Sequence, residues 1–192
     1  MAGLSELALR EGDAAAAVAH AQAALDILLA ADSRLYQIDA LHNLGNAWLA
    51  LGQWAEAQEA FERAEALARE IDVSTKILNA LEGQARVALA RGDVETAVAA
   101  VQRLLDHVGA GDPVPSAASL DGADEHRIRL TLHEVWHRAG DPRAGAALIE
   151  AHRALMDEAD AITDAALRRS FLTQIPENRE IATLRKQRAT PT

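Results

Sequence analysis

Leu44-Gly45-Asn46-Ala47-Trp48-Leu49-Ala50-Leu51-Gly52-Gln53-Trp54-Ala55-Glu56-Ala57-Gln58-Glu59-Ala60-Phe61 is the stretch that decides the fold. Apolar residues recur every three or four positions on both sides of Gly52, the spacing of a helical face. Gly52-Gln53 between them is a turn signal. The spacing predicts a helix from about Leu35 to Leu51, a tight turn, and a second helix from about Trp54 to Glu70. Ile71-Asp72-Val73-Ser74 then leads onward.

The same turn recurs along the chain. Gly12-Asp13, Gly52-Gln53 and Gly92-Asp93 are 40 residues apart, and Gly140-Asp141 follows 48 residues later. Five residues after each Gly stands a small residue: Ala17, Ala57, Ala97 or Gly145. Nine after stands Ala21, Phe61, Val101 or Ile149. Eight before stands Leu4, Leu44, Gln84 or Leu132, and four before Ala8, Trp48, Ala88 or Trp136. Small residues let paired helices approach closely, and the larger ones fill the gap to the next pair. A single hairpin cannot bury both its faces, so hairpins must stack.

The expected architecture is all-α: a right-handed α-solenoid of about four helical hairpins with a period near 40 residues and C-terminal capping helices. Its units run over 1–33, 34–73, 74–108 and 125–162 of a single domain spanning 1–192. Residues 109–124, rich in Gly, Pro, Ser and Asp, read as a loop that absorbs the eight extra residues, with Leu120 as its anchor. Pro142 suits a first helical position. Thr163 or Asp164 caps a short helix through Leu172, and Pro176-Glu177 opens a last one, so that 163–188 cover the end of the stack.

Composition agrees. Hydrophobic residues make up 49% of the 192, aromatics only 3%, and alanine dominates the apolar share. Alanine is the best helix former and suits close helix packing. The chain has no cysteine, which removes disulfides, thiolate metal sites and cysteine nucleophiles. No secretory leader or apolar run of membrane-spanning length is seen, so no membrane partner and a cytoplasmic location are expected. The net charge of −10 would repel nucleic acid.

Leu44-Gly45, Trp48, Gly52, Ala57, Phe61 and Ala64 resemble the tetratricopeptide (TPR) motif, with Arg69 where the motif ends in proline. The longer period resembles the TPR-like regions of large bacterial regulators that join a signalling ATPase to an output domain. The stretches Leu120-Asp121-Gly122, Ala139–Ala144, Ala165–Leu172 and Ile175–Arg179 resemble the closing part of those regions. No Gly-rich phosphate loop ending in Lys-Ser or Lys-Thr is present, so the ATPase itself is not. The resemblance implies a non-enzymatic scaffold or sensor segment of a bacterial regulatory system, whose partner is a protein or peptide.

It also implies where the partner lies. In TPR-like solenoids the first helix of each hairpin lines the concave face. The positions mapped there are Asp39, His42, Asn46 and Leu49; Asn79, Glu82, Arg86 and Leu89; and Arg127, Glu134, His137 and Arg138. These are first-helix residues not used by the Leu, Ala and Trp packing set, and Asn and Arg among them suit an extended backbone or a carboxylate. A second contact surface, for stacking on a second copy or on upstream repeats, is the apolar edge of the first unit: Leu4, Leu7, Leu25 and Leu28.

His133-Glu134-Val135-Trp136-His137 matches the zinc-protease pattern His-Glu-x-x-His, with both imidazoles on one helical face and Glu134 as general base. Against it, Arg143 stands where the longer pattern has its third His, and a guanidinium repels a cation. The repeat already accounts for the rest: His133 aligns with Gly45 and Ala85, Trp136 with Trp48, and Gly140 is the hairpin turn. No cofactor and no metal are therefore expected. A zinc-dependent hydrolase using His133, Glu134 and His137 is the rival reading, and an orphan remnant of a larger regulator the third. Glu62, Arg63, Glu65, Arg69 and Glu70 read as a solvated helix face with i,i+4 pairs. Trp54 reads as a core residue.

Overall fold

The computed structural model describes residues 2–109, 114–116, 119–120 and 122–189. The described residues form ten helices and no strand. They are α1 (Ala2–Arg10), α2 (Ala14–Ala30), α3 (Arg34–Ala50), α4 (Trp54–Glu70), α5 (Ser74–Ala90), α6 (Val94–Val108), α7 (Glu125–Arg138), α8 (Arg143–Ala161), α9 (Ala165–Gln174) and α10 (Pro176–Ala189). The architecture is that of a TPR-like helical repeat, divided into two compact units, Met1–His107 and Val108–Thr192.

In the first unit α1/α2 and α3/α4 are successive hairpins, α2 packing on α3 and α4 on α5, and α6 follows α5 after the Gly92 turn, joined to it by Arg103 Nη1 donating to Gln84 Oε1 at 3.1 Å. First helices also touch one another, α1 against α3 and α3 against α5. The turns explain the regularity. Left-handed backbone occurs at Gly12, Asp32, Gly52, Asp72 and Gly92, each twenty residues after the last. At each, the following amide reaches back five residues to a helix carbonyl, as in Asp13 N to Ala8 O at 2.9 Å and Val73 N to Ala68 O at 3.0 Å. This Schellman closure caps one helix while its last residue starts the next. Glycine takes the turn inside a hairpin and aspartate the turn between hairpins.

The core is narrow. Ala17, Ala57 and Ala97, five residues past their turns, are all fully buried, as are Ala21, Phe61 and Val101 nine residues past. Phe61 lies against two glycines. A Cβ on Gly45 of α3 would stand 2.8 Å from its ring, and one on Gly83 of α5 2.4 Å. Both are closer than carbon atoms approach, so the glycines are the space in which the ring sits.

In the second unit α7 and α8 pair, and α10 packs on α7, α8 and α9. Leu130, Ala151, Leu155 and Ile181 form its inner cluster, flanked by Phe171 and Leu172. The Asp164 carboxylate caps α9 by accepting from the amides of Ala166 and Leu167. Of the loop, Leu120 is buried and Pro115 O accepts from Nη2 of the buried Arg129 at 3.2 Å. The expectation for Ala110–Pro113, Ala117, Ala118 and Asp121 lies outside the described residues.

Several sequence expectations are corrected. Gly145 and Ile149 do not face inward; Ala144 and Leu148 do, and Ile149 is exposed. Ala144 N bonds Asp141 O three residues back, where Ala57 N bonds Gln53 O four back, so the first turn of α8 is tighter and its inward face comes one residue earlier; the His133 Nδ1 meets Ala144 O at 2.8 Å. Trp54 is 42% exposed because it stands at a hairpin tip with Leu51, beyond the end of α3. Leu25 is 2% exposed and continues the buried stripe of Ala17 and Ala21, so it is no part of an apolar edge. Leu28 is half-buried. Glu65 is buried, not solvated.

Candidate partner-binding groove

The first helices of the first unit place their polar positions side by side. A period of 40 residues puts Glu6, Asn46 and Arg86 in one row across α1, α3 and α5. Arg86 Nη1 donates to Asn46 Oδ1 at 2.8 Å, and its Nε lies 3.6 Å from Glu82. Lys76 Nζ of α5 meets Asp39 Oδ1 of α3 at 2.5 Å. These bonds lock adjacent repeats and fix the polar face.

Beside the Asp39–Lys76 pair α1, α3 and α5, with Ala64 of α4, border an open cleft of about 240 Å³. Ile38 and Ala64 line its apolar side; Glu6, Asp39, His42, Asn43, Lys76 and Asn79 line its polar side. The His42 ring also meets Phe61 edge-on, with centroids 5.5 Å apart, so the cleft wall rests on the packed aromatic. Drug-sized ligands occupy about 300–1,000 Å³; this cleft is smaller and of a size to take a side chain.

The mapped positions separate accordingly. Asp39, His42 and Asn79 line the cleft, and Asn46 and Arg86 are bonded to each other on the same helices. Leu49 is half-buried against Ala57, Phe61 and Val87. Glu82 and Leu89 are buried at 1% and 6% exposure, so neither is open to a ligand. In the second unit Arg127 is engaged by Asp124 at 3.3 Å and by Glu177 of α10 at 3.1 Å. Glu134 is half-buried, while His137 and Arg138 are exposed.

Glu6, Asn43 and Lys76 line the cleft without having been singled out in the sequence. Glu6 was legible, since it repeats the position of Asn46 and Arg86. Lys76 was not, because nothing in the pattern pairs it with Asp39.

A second polar cluster also escaped. The Glu65 carboxylate accepts from Gln84 Nε2 at 2.7 Å, from Arg103 Nη2 at 2.6 and 2.7 Å, and from Arg69 Nε at 2.9 Å. Burial pushes this carboxyl up, but the bonds from Gln84, Arg69 and Arg103 outweigh it and hold it below the ordinary range. The cluster ties α4, α5 and α6 together.

The His-Glu-x-x-His helix serves packing. His133 is 2% exposed, with Nδ1 on Ala144 O, and stacks on the exposed His137 ring at 5.7 Å. Trp136 is buried, and the Arg143 guanidinium lies 4.5 Å from its ring centroid while paired with Asp141 at 2.8 Å. Among the described residues no three His, Cys, Asp or Glu side chains are grouped to hold a metal ion.

No helix among the described residues is long and apolar enough to cross a membrane. A search of the curated proteins found no match to the chain. The tetratricopeptide repeat family profile matches residues 36–108, the span of α3 to α6. With the all-helical hairpins, this match supports a TPR-like repeat architecture.

Proposed function

We propose that the chain is a docking module that binds a protein or peptide along the face formed by α1, α3 and α5, as a scaffold or sensor segment of a bacterial regulatory system in the cytoplasm. TPR repeats generally mediate protein–protein interaction, and stacked hairpins present extended faces suited to it. The observation that carries the reading is the side-chain-sized cleft among Asp39, His42 and Asn79, backed by the Asn46–Arg86 bond. The regulatory role is supported by the likeness of the C-terminal stretches to those of bacterial regulators.

The test compares wild type with an Asn46→Ala, Arg86→Ala double variant in affinity capture from the native cell. Each captured protein is then purified and titrated against both forms by calorimetry. A purified partner whose affinity drops at least about tenfold, or 1.4 kcal/mol, supports the groove. Partners that bind both forms equally place docking elsewhere.

A second contact is favoured by register. Leu44 and Ala47 are buried under the preceding hairpin, whereas Leu4 and Leu7, at the same positions of α1, are 47% and 50% exposed. That edge suits a second copy of the chain. Sedimentation of wild type against Leu4→Ser, Leu7→Ser checks it: a monomer at all concentrations for wild type removes the idea.

A further inference from the structure

Resting on the docking reading, we infer that the partner presents a cationic segment, and that a lysine or arginine side chain of it enters the cleft between α1, α3 and α5. Three observations converge. Of the cleft's charged lining residues two are carboxylates, Glu6 and Asp39, and one is a cation, Lys76. The cleft already seats an ammonium group: Lys76 Nζ rests on Asp39 Oδ1 at 2.5 Å. Arg10, which pairs with Glu6 at 2.7 Å, is not among the residues that line it. An incoming cation would share Glu6 with Arg10 and Asp39 with Lys76.

The wider field acts in the same sense. Residues 1–107 carry sixteen Asp and Glu against eight Lys and Arg, so this unit holds −8 of the chain's −10. Such a field draws cationic segments to the surface and repels acidic ones. The size of the cleft matches one long side chain, which can leave its charged head near water.

The full chain is probed on an array of randomised peptides, and retained peptides are then titrated individually. The expected result is enrichment of Lys and Arg over the input. Glu6→Gln and Asp39→Asn are each expected to weaken a retained peptide about threefold to tenfold, as for partly exposed ion pairs. Glu62→Gln removes the same charge from α4, outside the cleft, and is expected to leave affinity within twofold or so. Helical content and melting of each variant establish that it is folded. Basic peptides that respond equally to all three substitutions overturn the seat in the cleft, since only bulk charge then matters. Retained peptides without basic bias, lost in the Asn46→Ala, Arg86→Ala variant, overturn the cationic partner and leave the docking reading standing. No retained peptide at all removes both.

Discussion

Arg86 Nη1 donates to Asn46 Oδ1 at 2.8 Å across 40 residues of sequence, and the two occupy the same position in successive repeats. The bond is a rung between the first helices of two hairpins. Stacking in a repeat protein is a sum of such neighbour terms. A double-mutant cycle with Asn46→Ala and Arg86→Ala is expected to give a coupling of about 1 kcal/mol, the size of a partly exposed charge-assisted hydrogen bond. Urea unfolding of the four forms measures it; additive effects would show that the rung adds no stability.

Phe61 leaves no room for a Cβ on Gly83. Replacing a helical glycine by alanine ordinarily stabilises by up to about 1 kcal/mol. Here the new Cβ would stand 2.4 Å from the Phe61 ring, so Gly83→Ala is expected to destabilise instead, by about 1–3 kcal/mol. Adding Phe61→Leu, which removes ring atoms from that contact, is expected to recover part of the loss. Thermal melting of the single and double variants decides it: a Gly83→Ala protein that melts above wild type would mean the ring moves aside freely.

Legibility in the sequence followed periodicity. The Gly12, Gly52 and Gly92 turns, the buried Ala17, Ala57 and Ala97, and Phe61 as gap-filler repeat at one interval, and one interval is what a pattern argument detects. The fourth hairpin broke the pattern at one residue. The first turn of α8 closes one residue sooner than that of α4, from Ala144 N to Asp141 O, which put Leu148 rather than Ile149 inside. Helix faces alone brought Asp39, His42 and Asn79 of α3 and α5 to one cleft. Burial of Glu82 and Leu89 was not legible, because it depends on what packs over them. Glu65 misled for another reason. It lies among Glu62, Arg63 and Arg69 on a face that reads as solvated, and the partners that bury it, Gln84 and Arg103, come from two later helices.

The alternating turns give paired predictions of opposite sign. Asp72 holds φ at 54°, a left-handed value that costs an L-residue about 1 kcal/mol, whereas Gly52 holds 72° without that cost. Asp72→Gly is expected to stabilise by up to about 1 kcal/mol, with the entropy lost by glycine offsetting part, and Gly52→Ala to destabilise by about 1 kcal/mol. Denaturant midpoints at constant slope check both. If both variants lose stability, Asp72 makes a contribution beyond its backbone angle.

Acid should loosen the link among α4, α5 and α6. The Glu65 carboxyl titrates below its ordinary value of 4.5 in the folded chain, since the bonds from Gln84, Arg69 and Arg103 outweigh the burial that pushes it up. A folded-state value below the unfolded one means the unfolded chain binds the proton more tightly. The ionised carboxylate therefore contributes stability above the unfolded value, and that contribution is lost as pH falls through the folded one. Glu65→Gln keeps the shape of the side chain but leaves the Arg103 guanidinium without its carboxylate. It is expected to destabilise by about 2–3 kcal/mol near neutral pH. The gap between wild type and Glu65→Gln should be level above about pH 5.5 and shrink steadily below 4.5. Chemical denaturation of both proteins across that range measures it. A gap that stays constant down to strongly acid pH would show that hydrogen-bond geometry, not the charge of Glu65, joins these helices.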